Sequence, residues 1–180
     1  NTINWRILKI LPELLKLTNV IHLTGNSTLT NDYRKAIEAK SQLEPELSKR
    51  YIVKENAYFE EYANYLNSSD IVVTRAGANA VSELLLHGKL CVLIPIPWSS
   101  NNEQLKNAKI IESTGLGLII EQYDDLPPIN VLNGIKKVLE VKNTNKDLLG
   151  REISKAKAEA KSHIKEDSSK RIVDEIERLF

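Results

Sequence analysis

The chain has 180 residues, 42% of them hydrophobic and 27% charged, with a formal net charge of +1. That length suits one domain with a sizeable core, or one large domain with an appended tail. The balanced charge gives no case for nucleic acid, and no apolar run approaches the roughly 18–20 residues that span a bilayer.

The single cysteine, Cys91, permits no internal disulfide and no cysteine-based zinc site. It opens an apolar run and reads as a buried strand thiol, which fits a cytoplasmic protein. His22, His87 and His163 lie far apart, without metal-ligand spacing.

In chain order, Ile3, Ile7, Ile10, Leu11, Leu14 and Leu15 fall on one helical stripe. Val20 to Thr24 is a predicted strand ending at Gly25, followed by a helix over about Thr30 to Lys40. Tyr51 to Val53 is a short strand and Tyr58 to Leu66 a helix. Ile71 to Thr74 is the next strand, and Ala80 to Leu86 the next helix, stopped at Gly88. Cys91 to Ile94 is an apolar strand, and Asn101 to Ser113 a helix with Gly115 as its stop. Leu118 to Glu121 is the last strand, and Pro128 to Leu139 is helical. Charged helices fill most of Lys146 to Leu179, with a break near Glu166 to Ser168.

Strands and helices alternating at this spacing predict an α/β fold, a Rossmann-like parallel sheet with helices on both faces. Residues 1–142 form the predicted domain. Residues 143–180 form a helical tail expected to pack on it or on a further, N-terminal domain. The chain opens on a helix, whereas the first strand of a doubly wound sheet is usually central. The expectation is therefore that a central strand and its phosphate loop are missing from the front of this sequence.

Two loops carry candidate chemistry. Arg75-Ala76-Gly77-Ala78-Asn79 joins a strand to a helix. There Gly77 permits a positive φ or close ligand approach, and Asn79 is the expected N-cap. The helix start offers free amides and a partial positive charge to a phosphate. Arg75 either adds a full charge or pairs with a local carboxylate. By helix geometry Glu83 points about 160° from the stripe of Val81, Leu84 and Leu85. It is either a solvated glutamate or a carboxylate facing a cleft, able to accept ribose hydroxyls. Glu103 and Gln104 open the helix after the second loop. They suit a sugar's hydroxyls, or are ordinary helix-start chemistry. Tyr58 and Phe59 could cover a planar base or pack in the core. His22 ends a strand, where a hydrogen bond to a loop is its expected role.

Together these motifs resemble the C-terminal, donor-binding domain of the MurG family. The resemblance rests on Arg75-Ala76-Gly77-Ala78, Glu83, Pro95 and Gln104-Leu105-Lys106-Asn107-Ala108. NTINW at the start, HLTG from His22, SSD from Ser68 and LLLHGK from Leu84 support it. It implies half of a GT-B glycosyltransferase that moves N-acetylglucosamine from UDP-N-acetylglucosamine to lipid I, forming lipid II. Glu83 would bind the ribose, Gln104 with Glu103 the sugar, and Phe59 would flank the uracil. Gly77 and the backbone around Ala78, Asn79 and Ala80 would sit against the nucleotide and diphosphate, with Arg75 a structural or phosphate-side contact. The resemblance further implies no metal or other cofactor, and a peripheral location at the inner face of the cell membrane. No catalytic residue is expected in this chain, because the general base and acceptor site lie in an N-terminal domain absent from it.

Overall fold

The computed structural model describes residues 2–123, 126–144, 146–163 and 168–178. Helix α1 (Thr2–Leu17) opens the chain, and its stripe buries Ile7, Ile10, Leu11, Leu14 and Leu15. Pro12 sits inside this helix on an exposed position. The carbonyl one turn earlier loses its usual donor there.

Strand β1 (Val20–Leu23) pairs in parallel with β2 (Tyr51–Lys54), with Val20 opposite Tyr51 and Leu23 opposite Lys54. Between them lie α2 (Asp32–Ser41) and a single turn, α3 (Pro45–Ser48), which the sequence reading did not anticipate. Helix α4 (Phe59–Ser68) leads to β3 (Ile71–Thr74). Helix α5 (Ala78–His87), β4 (Leu90–Leu93), α6 (Glu103–Ser113) and β5 (Gly117–Ile119) follow. β3, β4 and β5 form a second parallel sheet, with Ile71 opposite Leu90 and Cys91 opposite Gly117. Strand β4 is its buried centre: Cys91, Val92 and Leu93 have no exposed surface, and burial pushes the Cys91 thiol up to about 12.

The α/β reading with parallel strands and flanking helices holds. The strands do not form one sheet, however, but two, of order β1-β2 and β3-β4-β5. The common core joins α1, β3, β4, α5, α6 and α7 (Pro128–Thr144), while α1, α2 and β2 enclose a smaller cluster around Tyr51.

Helix α5 ends in a Schellman motif, with the Lys89 amide on the Leu84 carbonyl and the Gly88 amide on that of Leu85. This geometry needs the left-handed φ of 59° at Gly88. Helix α8 (Lys146–His163) lies against that turn and buries Ala156. Helix α9 (Ser168–Glu177) follows, and the break expected near Glu166 falls partly outside the described residues.

Candidate functional site

The turn from β3 into α5 is held from beneath. Arg75 Nη1 donates to the Ile94 carbonyl at 2.8 Å, to the Pro95 carbonyl at 3.5 Å and to Gln122 Oε1 at 2.6 Å. The guanidinium thus ties the carboxyl ends of β3, β4 and β5 together. The sequence offered a phosphate or a local carboxylate as its partner. Its partners among the described residues are carbonyls and an amide, not a local carboxylate. Burial, and then the charge of Arg6, lower its pKa. Gln122 is buried and sits outside every sequence motif.

Above Arg75 the chain enters α5 at Gly77, which is the N-cap, with φ −66° and ψ 152°. One of the two alternatives for Gly77 falls here, and the expectation for Asn79 changes. Gly77 is extended rather than left-handed, and Asn79 lies inside the first turn rather than capping it. The helix thus starts two residues earlier than expected, with no side-chain cap at Gly77. Val81 makes the first intrahelical bond, to the Gly77 carbonyl. The amides of Ala78, Asn79 and Ala80 therefore have no intrahelical acceptor. Ala78 and Asn79 are exposed, and a Cβ built on Gly77 would meet nothing within 4 Å. A ligand can reach this backbone directly.

Glu83 is half-buried, and its Oε2 accepts a hydrogen bond of 2.9 Å from the Tyr62 hydroxyl of α4. It is neither a solvated surface glutamate nor unrestrained. Burial, and then this carboxylate, push the Tyr62 phenol up to about 12. The phenol stays protonated and keeps the carboxylate oriented. Sequence reasoning missed Tyr62, whose only signal was its place one turn into α4.

The second turn differs from the single helix expected over Asn101 to Ser113. A short 3-10 turn, Ser100–Asn102, comes first, with Asn101 at φ 51° and Asn102 at φ 56°. Asparagine tolerates that region better than most residues. Gln104 then lies in the first turn of α6. Its Oε1 accepts from the Ile96 amide at 3.1 Å, and its own amide is 3.3 Å from Ser99 Oγ. The side-chain carbonyl is committed to the loop, which turns its NH2 group into the group on offer. Glu103 is exposed and touches Asn107 at 3.5 Å.

The two turns are physically joined, because Asn107 Nδ2 donates to the Ala76 carbonyl at 3.2 Å. Helices α5 and α6 pack together, so both N-termini stand at the carboxyl edge of the β3–β4–β5 sheet. Asn107 belongs to the recognised motif, but a structural tether was not expected of it. Phe59 stands apart as the first residue of α4, 94% exposed, at a left-handed φ of 45°. An aromatic residue there is a backbone outlier, a kind of strain that clusters at functional sites. It does not pack in the core.

At the edge of the other sheet, His22 bonds as expected, but to a helix and a strand rather than a loop. Asn4 Nδ2 donates to the Thr24 carbonyl and to Asp32, leaving Asn4 Oδ1 3.1 Å from His22 Nε2. In that assignment the proton sits on Nε2, and Nδ1, 2.7 Å from the Tyr51 hydroxyl, accepts from it. Burial lowers the His22 pKa to about 4, so the ring is neutral. No helix among the described residues is long and apolar enough to cross a membrane.

Helix starts gathered at the carboxyl edge of a parallel sheet define an α/β domain with its candidate ligand site at that edge. Solved structures of similar shape include glycosyltransferases. The crystal structure of Acinetobacter baumannii MurG aligns with a TM-score of 0.63 and 22% identity, over 96% of this chain and 46% of that one. The kitacinnamycin glycotransferase aligns with a TM-score of 0.57 and 18% identity, over 89% and 42%. Both likenesses are of fold.

The chain belongs to the glycosyltransferase family 28 C-terminal domain family, which it matches over residues 1–170. Similar curated proteins are called UDP-N-acetylglucosamine--N-acetylmuramyl-(pentapeptide) pyrophosphoryl-undecaprenol N-acetylglucosamine transferase. The one from Clostridium kluyveri is 33% identical over 178 residues, 98% of this chain and 43% of that protein. The one from Clostridium perfringens strain SM101 is 36% identical over 154 residues, 85% and 39% respectively. The chain thus spans about two-fifths of the length of these relatives.

Proposed function

We propose that this chain is the donor-binding half of an inverting glycosyltransferase moving N-acetylglucosamine from UDP-N-acetylglucosamine to lipid I, giving lipid II. The observation that carries the reading is the Asn107–Ala76 bond, which sets two helix N-termini side by side in a family 28 domain. The diphosphate lies over the unpaired amides of Ala78, Asn79 and Ala80, with Gly77 leaving room for it. Glu83, oriented by Tyr62, accepts the ribose hydroxyls. Gln104 donates to the hexose from its NH2 group, helped by Glu103. Phe59 flanks the uracil. Arg75 acts as a positioning residue that holds the turn.

In this reading the acceptor hydroxyl attacks the anomeric carbon from the face opposite UDP. The bond to the diphosphate oxygen breaks and the configuration inverts. Negative charge grows on the departing UDP, and fixed amides with the positive end of α5 stabilise it. The proton leaves the acceptor to a base supplied by another domain. The acceptor also binds through that domain, at the inner surface of the cytoplasmic membrane. No metal ion is required.

The test is titration calorimetry of the complete protein with UDP-N-acetylglucosamine. Glu83→Gln and Gln104→Ala are each expected to weaken binding about tenfold or more, the loss of one or two hydrogen bonds at a polar site. EDTA is expected to leave the affinity unchanged. Full affinity in both variants overturns the donor-site reading.

A further inference from the structure

In the donor reading, Gln104 and Glu103 meet the hydroxyls of the hexose. We infer that Trp98 meets its apolar face, the indole stacking on the C–H groups of the sugar ring and taking no part in holding the nucleotide. The inference rests on the donor reading. It adds a contact that separates a nucleotide sugar from the bare nucleotide.

The loop that carries Trp98 is built around Gln104. The Ser99 amide donates to the Ile96 carbonyl at 3.3 Å, so Ile96 to Ser99 form a tight turn with Pro97 and Trp98 at its two central positions. Both ends of this turn are bonded to one residue. The Ile96 amide donates to Gln104 Oε1 at 3.1 Å, and the Gln104 amide donates to Ser99 Oγ at 3.3 Å. A further bond, from the Asn102 amide to the Ser99 carbonyl at 3.1 Å, closes the stretch between them. Trp98 therefore stands at the tip of a turn whose two ends are fastened to Gln104, and the two residues belong to one rigid unit.

The indole has no partner of its own. It is 68% exposed, and among the described residues it makes no ring contact, no cation contact and no hydrogen bond through Nε1. Exposure by itself carries no information, since single apolar residues are common on surfaces. Placement does. The exposed aromatic residues among those described are Trp5, Tyr58, Phe59, Trp98 and Tyr123. Tyr58 and Phe59 follow β2, Trp98 follows β4 and Tyr123 follows β5, each past the carboxyl end of its strand. Trp5 is next to Asn4, which bonds the Thr24 carbonyl just past β1. None of the five lies at an amino end, and the carboxyl edge is where an open parallel sheet holds its ligand. Of the five, Trp98 is the one fastened to a residue assigned to the hexose.

The chemistry of the pair matches a sugar. A pyranose carries hydroxyls around its rim and C–H groups on its faces. The Gln104 amide suits the first. The electron-rich face of an aromatic ring attracts the partly positive C–H groups of the second, and tryptophan offers the largest such face. Pro97 fixes φ at the first central position of the turn, so the Trp98 backbone has little freedom left to lose on binding. A lipid surface also accepts an exposed indole, but it makes no use of the bonds that tie this turn to Gln104.

The test is titration calorimetry of the complete protein with UDP-N-acetylglucosamine and, separately, with UDP. Trp98→Ala is expected to weaken UDP-N-acetylglucosamine binding about tenfold and to leave UDP within about twofold of the wild type, which also shows that the variant is folded. Trp98→Phe, which keeps a ring, is expected to recover most of the loss. Equal loss for both ligands, no loss for either, or Trp98→Phe as weak as Trp98→Ala overturns the proposal. Glu83→Gln and Gln104→Ala are measured beside them. If those weaken binding and Trp98→Ala does not, the stacking contact falls and the donor site stands. If both keep full affinity, the donor site and the stacking contact fall together. In the wild type, the indole N–H resonance of Trp98, assigned by its loss in Trp98→Phe, is expected to move with UDP-N-acetylglucosamine and not with UDP. Movement of the same size with UDP overturns the assignment to the hexose.

Discussion

Asn107 on α6 and Ala76 in the turn before α5 are joined by a 3.2 Å hydrogen bond, a side-chain amide donating to a backbone carbonyl 31 residues earlier. Ala76 is fully buried, so water cannot readily replace this donor. Asn107→Ala should cost about 1–2 kcal/mol of stability, the ordinary penalty for orphaning a buried carbonyl. In the complete protein it should also weaken UDP-N-acetylglucosamine binding, although this account gives the side chain no ligand contact. Chemical denaturation beside calorimetry separates the two effects. Lost stability with unchanged affinity would mean that the spacing of the turns does not matter to the ligand.

Arg75 offers a second test of the same frame. Arg75→Lys keeps the charge but its side chain ends one atom short of Nη1, the nitrogen that reaches Ile94, Pro95 and Gln122. We expect Arg75→Lys to be destabilised nearly as much as Arg75→Ala, by about 2–3 kcal/mol for the two close acceptors, the Ile94 carbonyl and Gln122 Oε1, left unsatisfied. Urea midpoints of the two variants check this. Wild-type stability in Arg75→Lys would mean that charge alone suffices.

Much of this architecture was legible because its signals are local. The strands ending at Leu23, Thr74 and Leu93 announce themselves as short apolar runs, and Gly88 marks the end of α5. Gly77 and Asn79 show where local reading fails. Both have the chemistry of an N-cap, and the local sequence does not choose between them; the same turn is also held by Arg75 through a contact spanning 47 residues to Gln122. Tyr62 and Asn107 were illegible as positioning residues for the same reason, since each acts on a partner 21 or 31 residues away. The split into two sheets has no local signal, because strand pairing is decided between residues far apart in the chain.

Gly88 and Gly115 form a matched pair. Both have positive φ, 59° and 75°. A Cβ at Gly88 would stand 2.6 Å from Lys157 Cε and 2.7 Å from Ile153 Cγ2, whereas one at Gly115 meets nothing within 4 Å. Gly115→Ala should cost about 1 kcal/mol, from backbone strain alone. Gly88→Ala should cost about 1–3 kcal/mol more, because α8 must shift. Thermal unfolding of the two variants measures the difference. Equal losses would show that α8 does not pack on the α5 cap in solution.

His22 couples stability to pH. Its folded pKa of about 4 lies below the ordinary 6.5, so the neutral ring is the form that the fold binds. The unfolded chain takes up the proton first as pH falls. The stabilisation is complete above pH 6.5 and is lost as pH falls toward 4, on the order of 3 kcal/mol in all. His22→Gln should start less stable and change less between pH 6.5 and 5, a range above most carboxylate titration. Denaturation curves at four pH values for both proteins provide the check, and parallel slopes would remove His22 as the titrating group.

The most direct measurement is an amide NMR titration of the complete protein with UDP-N-acetylglucosamine. The account predicts shifts at the backbone amides of Ala78, Asn79 and Ala80 and at the side-chain NH2 of Gln104, saturating together with one affinity. Shifts confined to other elements, or two groups saturating at different concentrations, would contradict a single donor site built from the starts of α5 and α6.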